Sequence, residues 1–321
     1  MRNILSRCID INSQYCPCLL AETNHCVFCS HLKGESLCNC NWSGVCILYE
    51  KHWQSNKRTL GIEELPIRIE TETEFRIISK FSPDVYKLEF DVIPTLAQQL
   101  TKTGSFVFLR RPQDPYFYHF PVGIMKVIGN TLQVIIETIG PKSTRIIADD
   151  NHQLLVRGPY YNGILGQPWI DNLTNGKVVL VAGGMGQPPA LPIAAKLISN
   201  NNVIAILAPG VIGMTVISEE LRDLGVEVHD VSSFRNEGIV ILRKLCAGQP
   251  DLLVSAGPDE QHYAIINMMQ DMNINIPMAV TNNATMCCGE GICGSCQKET
   301  HDNKTICTCK VQTDFSQLIP Y

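Results

Sequence analysis

Three cysteines near the end of the chain stand at a spacing that could hold a redox metal centre. They are Cys288, Cys293 and Cys296, in the run Cys288-Gly-Glu-Gly-Ile-Cys293-Gly-Ser-Cys296. Thiolate suits a soft iron–sulfur core, and Cys-x4-Cys-x2-Cys is the plant-type 2Fe–2S spacing, which takes a fourth cysteine from farther along. Cys307 and Cys309 both qualify. Gly289, Gly291 and Gly294 can adopt positive φ, so the loop can close tightly and turn backbone N–H groups toward sulfur. Zinc sites more often pair Cys-x2-Cys with a distant twin. Cys287 reads as a neighbour of the motif, not a ligand.

A second thiol set lies at the other end. Of 15 cysteines, eight fall at Cys8, Cys16, Cys18, Cys26, Cys29, Cys38, Cys40 and Cys46, six between Cys287 and Cys309, and Cys246 stands alone. A secreted disulfide scaffold is usually short and cysteine-dense throughout. Two terminal clusters with no export signal read instead as metal sites in a reducing cytoplasm. Eight thiols are enough for two four-thiolate sites. An additional 4Fe–4S cluster or zinc is the expectation for residues 1–60; zinc commonly staples modules this small, whereas Cys-x-Cys pairs are less usual in zinc ribbons. Cys246, in Leu242-Arg243-Lys244-Leu245-Cys246, reads as a buried helix thiol.

The third chemical signal is Val181-Ala182-Gly183-Gly184-Met185-Gly186-Gln187-Pro188-Pro189, between an apolar strand and a helix. Glycines there let a pyrophosphate approach the backbone at a helix N-terminus. The full G-x-G-x-x-G fingerprint is absent. Ala208-Pro209-Gly210, where the second strand ends, offers neither an acid for a ribose nor a cation for a 2′-phosphate, which leans mildly against NADP and leaves the choice of NAD or NADP open.

The elements that must position these residues change character along the chain. Residues 1–60 read as a Cys-rich metal or iron–sulfur module too polar to build much core. Residues 61–170 read as an antiparallel β-barrel: strands are predicted at Phe75 to Lys80, Val85 to Phe90, Ser105 to Arg110, Gly123 to Val127 and Leu132 to Thr138. Residues 171–280 alternate strands with helices, the pattern of a parallel sheet covered on both faces. Strands are predicted at Lys177 to Ala182, Val203 to Leu207, Val226 to Val228 and Leu252 to Ser255, with helices at Ala190 to Ile198 and Ile217 to Leu224. Residues 281–321 return to cysteine, glycine and polar side chains. The fold class is multidomain α/β plus β.

From about residue 70 onward the chain resembles the ferredoxin–NADP reductase superfamily, and within it the dihydroorotate dehydrogenase electron-transfer subunit and the small subunit of bifurcating ferredoxin:NADP transhydrogenases. Gly104 to Arg110 is similar to the G-Q-F-V-x-L-R strand, and Ile139 to Thr144 to the V-G-x-G/S-T turn. Gly158 to Gly163 is similar to G-P-x-G-N-G, and Val181 to Pro189 to V-G-G-G-x-G-x-x-P. Ser255-Ala256-Gly257-Pro258 is similar to the S-C-G-P near the nicotinamide, and Met286 to Cys296 to the M-x-C-G-x-G-x-C-x-x-C loop. Cys309-Lys310-Val311-Gln312-Thr313-Asp314-Phe315 resembles the family's C-K/V-D-G-P-V-F tail, which favours Cys309 over Cys307 as fourth ligand. The resemblance implies a 2Fe–2S cluster on Cys288, Cys293, Cys296 and Cys309. It implies FAD lined by Pro121, Val122, Gly123, Gly140, Ser143 and Thr144, and NAD(P) at Gly183, Gly184, Gly186, Gly257 and Pro258. Two departures stand out. Phe120-Pro121-Val122-Gly123 occupies the place of R-P-x-S, with His119 and Arg110 as the nearest basic replacements, and Ala256 occupies the place of a cysteine.

Hydrophobic residues at 45% and charged residues at 18% exclude bulk disorder, and a net charge of −5 gives no basic field for nucleic acid. No apolar run reaches the roughly 18 residues of a membrane span. No Ser/His/Asp set or paired carboxylates mark a substrate pocket. The expected function is therefore an NAD(P)H-linked FAD and iron–sulfur oxidoreductase subunit, passing electrons to or from a partner oxidoreductase subunit in a hetero-oligomer. The alternative is a non-catalytic zinc-stabilised adaptor on a degenerate reductase fold.

Overall fold

The computed structural model of this chain describes residues 7–10, 68, 70–115, 118–148, 151–291 and 293–320. Cys16, Cys18, Cys26, Cys29, Cys38, Cys40 and Cys46 lie outside them, and of Cys8 only the backbone is described. The chain divides into one unit of residues 70–283 and another of 3–69 with 284–321.

The second unit opens with β1 (Arg7–Cys8), whose partner comes from the end of the chain. The first unit begins with seven antiparallel strands: β2 (Glu70–Ser82), β3 (Val85–Asp91), β4 (Phe106–Arg110), β5 (Phe120–Gly123), β6 (Lys126–Ile128), β7 (Thr131–Glu137) and β8 (Gln153–Tyr160). Their order is β5-β4-β8-β2-β3-β7-β6. Register shifts at Ile77/Ser79 and Lys80/Ser82 bend the long β2, as bulges do, and help the sheet curl into a barrel-like layer. Its core gathers Phe75, Leu88, Phe90, Leu109, Val134 and Val156, with helix α1 (Pro94–Leu100) packed on by Leu96, Ala97 and Leu100. Each such side chain contributes about 1.5–3 kcal/mol when fully buried.

The sequence predicts one strand from Gly123 to Val127. The structure breaks it: β5 ends at Gly123 and β6 begins at Lys126. Ile124 joins the barrel core and Met125 the core of the following sheet, so two consecutive apolar side chains are buried in different cores and period-two alternation is lost. The Ile139 to Thr144 segment leads into a helix, α2 (Pro141–Ile147), with Gly140 as N-cap.

The second sheet of this unit has the order β12-β11-β10-β13-β14-β9. It comprises β9 (Ile164–Leu165), β10 (Lys177–Gly183), β11 (Asn202–Ala208), β12 (Glu227–Asp230), β13 (Leu252–Ala256) and β14 (Met278–Thr281). All neighbours are parallel except β9, which runs antiparallel to β14 at the edge. Helices α3 (Gln167–Asn172), α4 (Gln187–Ile198), α5 (Ser218–Asp223), α6 (Ile239–Ala247) and α7 (Asp259–Asp271) complete it. Val178 to Gly183 are continuously buried, as a central parallel strand requires. Helix α4 starts at Gln187, three residues before the predicted Ala190, because Pro188 and Pro189 fall in a first turn whose N–H groups need no intrahelical partner. Helix α7 carried no strong sequence signal; Gln261, His262, Ile265, Met268 and Met269 form its buried face.

In the second unit, β1 pairs antiparallel with β17 (Val311–Gln312), and β15 (Gln297–Glu299) with β16 (Thr305–Cys307). Among the described residues no helix is long and apolar enough to cross a membrane.

Candidate functional site

In the second unit the motif cysteines form a chain of sulfur contacts. Cys293 meets Cys288, Cys288 meets Cys309, and Cys309 meets Cys296. Cys307 is likewise a hydrogen-bond partner of Cys296. Cys309 thus touches two loop sulfurs and Cys307 one. Backbone donors follow the same division: Glu290 N–H donates to Cys288 Sγ at 3.2 Å, and Gly291 N–H to Cys309 Sγ at 3.2 Å. The loop can aim those amides because Gly289, Gly291 and Gly294 take φ of 70°, 73° and 78°. Among the described residues no three His, Cys, Asp or Glu side chains converge on one metal ion. The thiols are hydrogen-bond partners in pairs, Cys293 with Cys288 and Cys309 with Cys296, and a two-iron cluster takes its four thiolates as two pairs. Hydrogen bonds from Cys307 and Cys309 hold the Cys296 thiol far below the ordinary thiol range, while the hydrogen bond with Cys288, then burial, raises Cys293. Cys293 is the exposed member, and Cys296 and Cys309 are buried.

Behind the loop lies an ion quartet without a sequence signature. Arg68 donates to Glu290 at 2.9 and 2.7 Å and to Asp10 at 2.9 Å. Lys310 Nζ pairs with Asp10 and lies 3.0 Å from Glu290 Oε2. Lys310 and Asp10 are each 1% exposed. Burial raises the Asp10 carboxyl, but Lys310 and Arg68 together outweigh it and leave it below the ordinary value. Removing one member of such a buried set costs about 3–5 kcal/mol, because its partner stays charged without compensation.

In the first unit, the C-terminal ends of β10 and β13 flank the point where strand order reverses, the usual ligand crevice of an open α/β sheet. Gly183, Gly184, Gly186, Gly257 and Pro258 all come together there. Gly184 has φ 52°, and a Cβ on Gly186 would sit 2.1 Å from Ala256 O. A Cβ on Gly210 would meet Gly184 Cα at 2.6 Å, so the loops after β10, β11 and β13 pack backbone to backbone. Gln187, fully buried, pins the loop after β11: its amide donates to Ala208 O at 3.1 Å and Met214 O at 3.0 Å and accepts from Val216 N–H at 2.7 Å. Beneath Gly257, Gln261 donates to Ser255 Oγ at 3.0 Å, Ser255 lies 2.7 Å from His262 Nδ1, and His262 Nε2 lies 3.2 Å from Thr281 O. With Ser255 Oγ accepting from Gln261, its proton goes to Nδ1 and the imidazole donates from Nε2. Burial lowers its pKa to about 4, so the ring is neutral at pH 7. Thr281 Oγ1 closes the network on Gly257 N–H and O, both at 3.1 Å.

Pro121, Val122 and Gly123 lie on β5, and a Cβ on Gly123 would touch Pro189 of α4 at 3.6 Å, so this strand meets the glycine-rich turn. Gly140 caps α2, and a Cβ there would have nothing within 4 Å. Ser143 Oγ donates to Gly140 O at 3.4 Å and Thr144 Oγ1 to Thr138 O at 3.0 Å, while the first-turn N–H groups of Lys142 and Ser143 have no acceptor within the helix. Lys142 Nζ donates to His119 O at 3.1 Å, bringing a positive charge between α2 and β5. Arg110 is held by Glu70 at 3.0 and 2.5 Å. The guanidinium beside His119 is instead that of Arg157, 3.1 Å from Nε2 and stacked 5.0 Å over Phe108 and 5.6 Å over Tyr160. Its only sequence mark was its place directly before Gly158-Pro159.

No protein-family model matches the chain. It is 24% identical over 211 residues to the electron transfer subunit of dihydroorotate dehydrogenase B (NAD(+)) of Clostridium perfringens, covering 64% of this chain and 81% of that one. It is 25% identical over 250 residues to the subunit of that name from Streptococcus pneumoniae, covering 75% and 93%. Among solved structures, a chain of the NADH-dependent reduced ferredoxin-NADP oxidoreductase studied for flavin-based electron bifurcation superposes with a TM-score of 0.61 at 19% identity, over 79% of this chain and 91% of that one. A ferredoxin NADP+ reductase from Neisseria gonorrhoeae, solved with FAD and NADP, superposes at 0.50 and 13% identity, over 64% and 92%. The chain has a ferredoxin–NADP reductase-like fold.

Proposed function

We propose that the chain is an electron-transfer iron–sulfur flavoprotein subunit, linking NAD(P)H, FAD and a 2Fe–2S cluster to a partner oxidoreductase subunit in a hetero-oligomer. The observation that carries this reading is the sulfur chain Cys293–Cys288–Cys309–Cys296, with two backbone N–H groups aimed at its members. Those four cysteines would hold the 2Fe–2S cluster. FAD, when bound, exchanges a hydride with a pyridine nucleotide and single electrons with an iron–sulfur centre.

The placement of the chain's own residues supports those groups. Pro121 to Gly123, Gly140, Ser143 and Thr144 would line the flavin, with the first-turn amides of α2 and the Lys142 ammonium facing its pyrophosphate. The turn Gly183, Gly184 and Gly186 would present the start of α4 to a second pyrophosphate, with Gly186 also needed for the close packing on Ala256. Gly257 and Pro258, held by the Ser255–His262–Thr281 network, would border the nicotinamide. In this reading residues 61–170 hold FAD, 171–280 the pyridine nucleotide and 281–321 the cluster, while residues 1–60 hold a further 4Fe–4S cluster or zinc. The named relatives are electron transfer subunits, which supports a partner that supplies the other half-reaction.

Cofactor analysis of anaerobically purified full-length protein tests this. The expected result is FAD in the acid extract together with iron and acid-labile sulfide. A colourless protein containing only zinc would favour the adaptor.

A further inference from the structure

Glu290 occupies two positions in the second unit's chemistry. Its peptide N–H donates to Cys288 Sγ and the next residue's to Cys309 Sγ, while its carboxylate is gripped by Arg68 and by Lys310, the residue directly after Cys309. Backbone pairing reinforces the grip: Ile9 N–H donates to Lys310 O at 2.6 Å, and Cys8 pairs with Val311 in the β1–β17 register. Asp10, the fourth member, arrives on that same N-terminal segment. Two cations and two carboxylates therefore balance behind the thiols, with Arg68, Asp10 and Lys310 buried and Glu290 mostly so.

We propose that this quartet sets the reduction potential of the cluster, with Glu290 and Lys310 as positioning residues that aim two sulfur-directed amides and hold the local charge at zero. The proposal rests on the 2Fe–2S reading above. Reduction adds one electron and one negative charge to the cluster. A nearby charge in a poorly solvated setting acts on that added electron far more strongly than one in water, and net charge and hydrogen bonds to sulfur are what tune such potentials. Removing the Lys310 charge leaves a net negative quartet and favours the oxidised cluster. Neutralising Glu290 leaves a net positive one and favours the reduced cluster. A purely structural clamp has no such sign: loosening the loop from either end would act in one direction.

The test is a mediated dithionite titration of full-length protein followed by the electron paramagnetic resonance signal of the reduced cluster. Wild type is compared with Lys310→Met, Glu290→Gln and Lys304→Met, an exposed lysine of the same unit paired with Asp302. Lys310→Met should shift the one-electron equilibrium about tenfold toward oxidised, a fall of about 59 mV, and Glu290→Gln should shift it the other way by a similar factor. Lys304→Met should leave it in place. Unchanged potentials, shifts of one sign in both variants, an equal shift in Lys304→Met, or loss of the cluster from both quartet variants would overturn the proposal and leave the 2Fe–2S reading standing. Should only one quartet variant retain the cluster, the sign of its shift decides. No cluster signal in wild type would overturn the underlying reading, and this proposal with it.

Discussion

In the crevice at the ends of β10 and β13, a methyl on Gly186 would sit 2.1 Å from a carbonyl oxygen; on Gly294 in the thiol loop, the nearest atom would be 3.6 Å away, on the flexible side chain of Gln297. Gly186 has an ordinary helical φ of −76°, whereas Gly294 is left-handed at 78°. At Gly186 the crevice uses glycine for room, because three loops meet backbone to backbone on a rigid apolar sheet, although Gly184 beside it is also left-handed at 52°. The thiol loop uses glycine for conformation, because a short polar segment must turn sharply enough to aim amides at sulfur. One region is shaped by what is packed beneath it; the other is held by its own turns, its ions and whatever its thiols bind.

That contrast can be broken at its strongest point first. Cys309→Ser should abolish or strongly perturb the iron–sulfur absorbance and magnetic signal, and Cys307→Ser should spare both, since Cys309 touches two loop sulfurs and receives the Gly291 amide. The reverse result would move the fourth ligand to Cys307. Next in size is Gly186→Ala. With no side chain to yield, the loops must part, at about 3 kcal/mol or more. Pyridine-nucleotide affinity measured by fluorescence titration should collapse while the cluster spectrum stays as in wild type.

The third test is pH. His262 is buried neutral with its pKa lowered to about 4 from 6.5. The unfolded chain takes up the proton first as pH falls, so stability is full above about pH 6.5 and lost progressively toward pH 4, by about 3 kcal/mol in all. His262→Gln should flatten that stretch of the stability–pH curve from denaturant midpoints. The smallest effect is expected at Gly294→Ala, where only the left-handed φ is penalised, at about 1–2 kcal/mol. Equal losses at Gly186 and Gly294 would erase the distinction between room and conformation.

What the sequence revealed follows the same divide. Cys288, Cys293 and Cys296 stand out because the proposed ligand chemistry demands one residue type at fixed spacing, and Lys177 to Ala182 was legible because a buried parallel strand must be continuously apolar. Asp10, Arg68, Glu290 and Lys310 were not legible, since residues up to 300 positions apart meet only after β1 pairs with β17. Gln187 and His262 were hidden for a related reason: a polar helix residue looks like a solvent-facing position until the groups it serves are in place, the carbonyls of Ala208 and Met214 for Gln187 and the strand partners Ser255 and Thr281 for His262. The predicted strand from Gly123 to Val127 failed because Ile124 and Met125 serve two cores at once.

The most direct measurement is anaerobic addition of NADH, and separately NADPH, to the purified full-length protein, followed by visible absorption and low-temperature electron paramagnetic resonance. The account predicts bleaching of a flavin band together with growth of a reduced 2Fe–2S signal that Cys309→Ser lacks. A protein without flavin or cluster absorbance, or one whose coloured centres accept electrons from dithionite but from neither pyridine nucleotide, would contradict it.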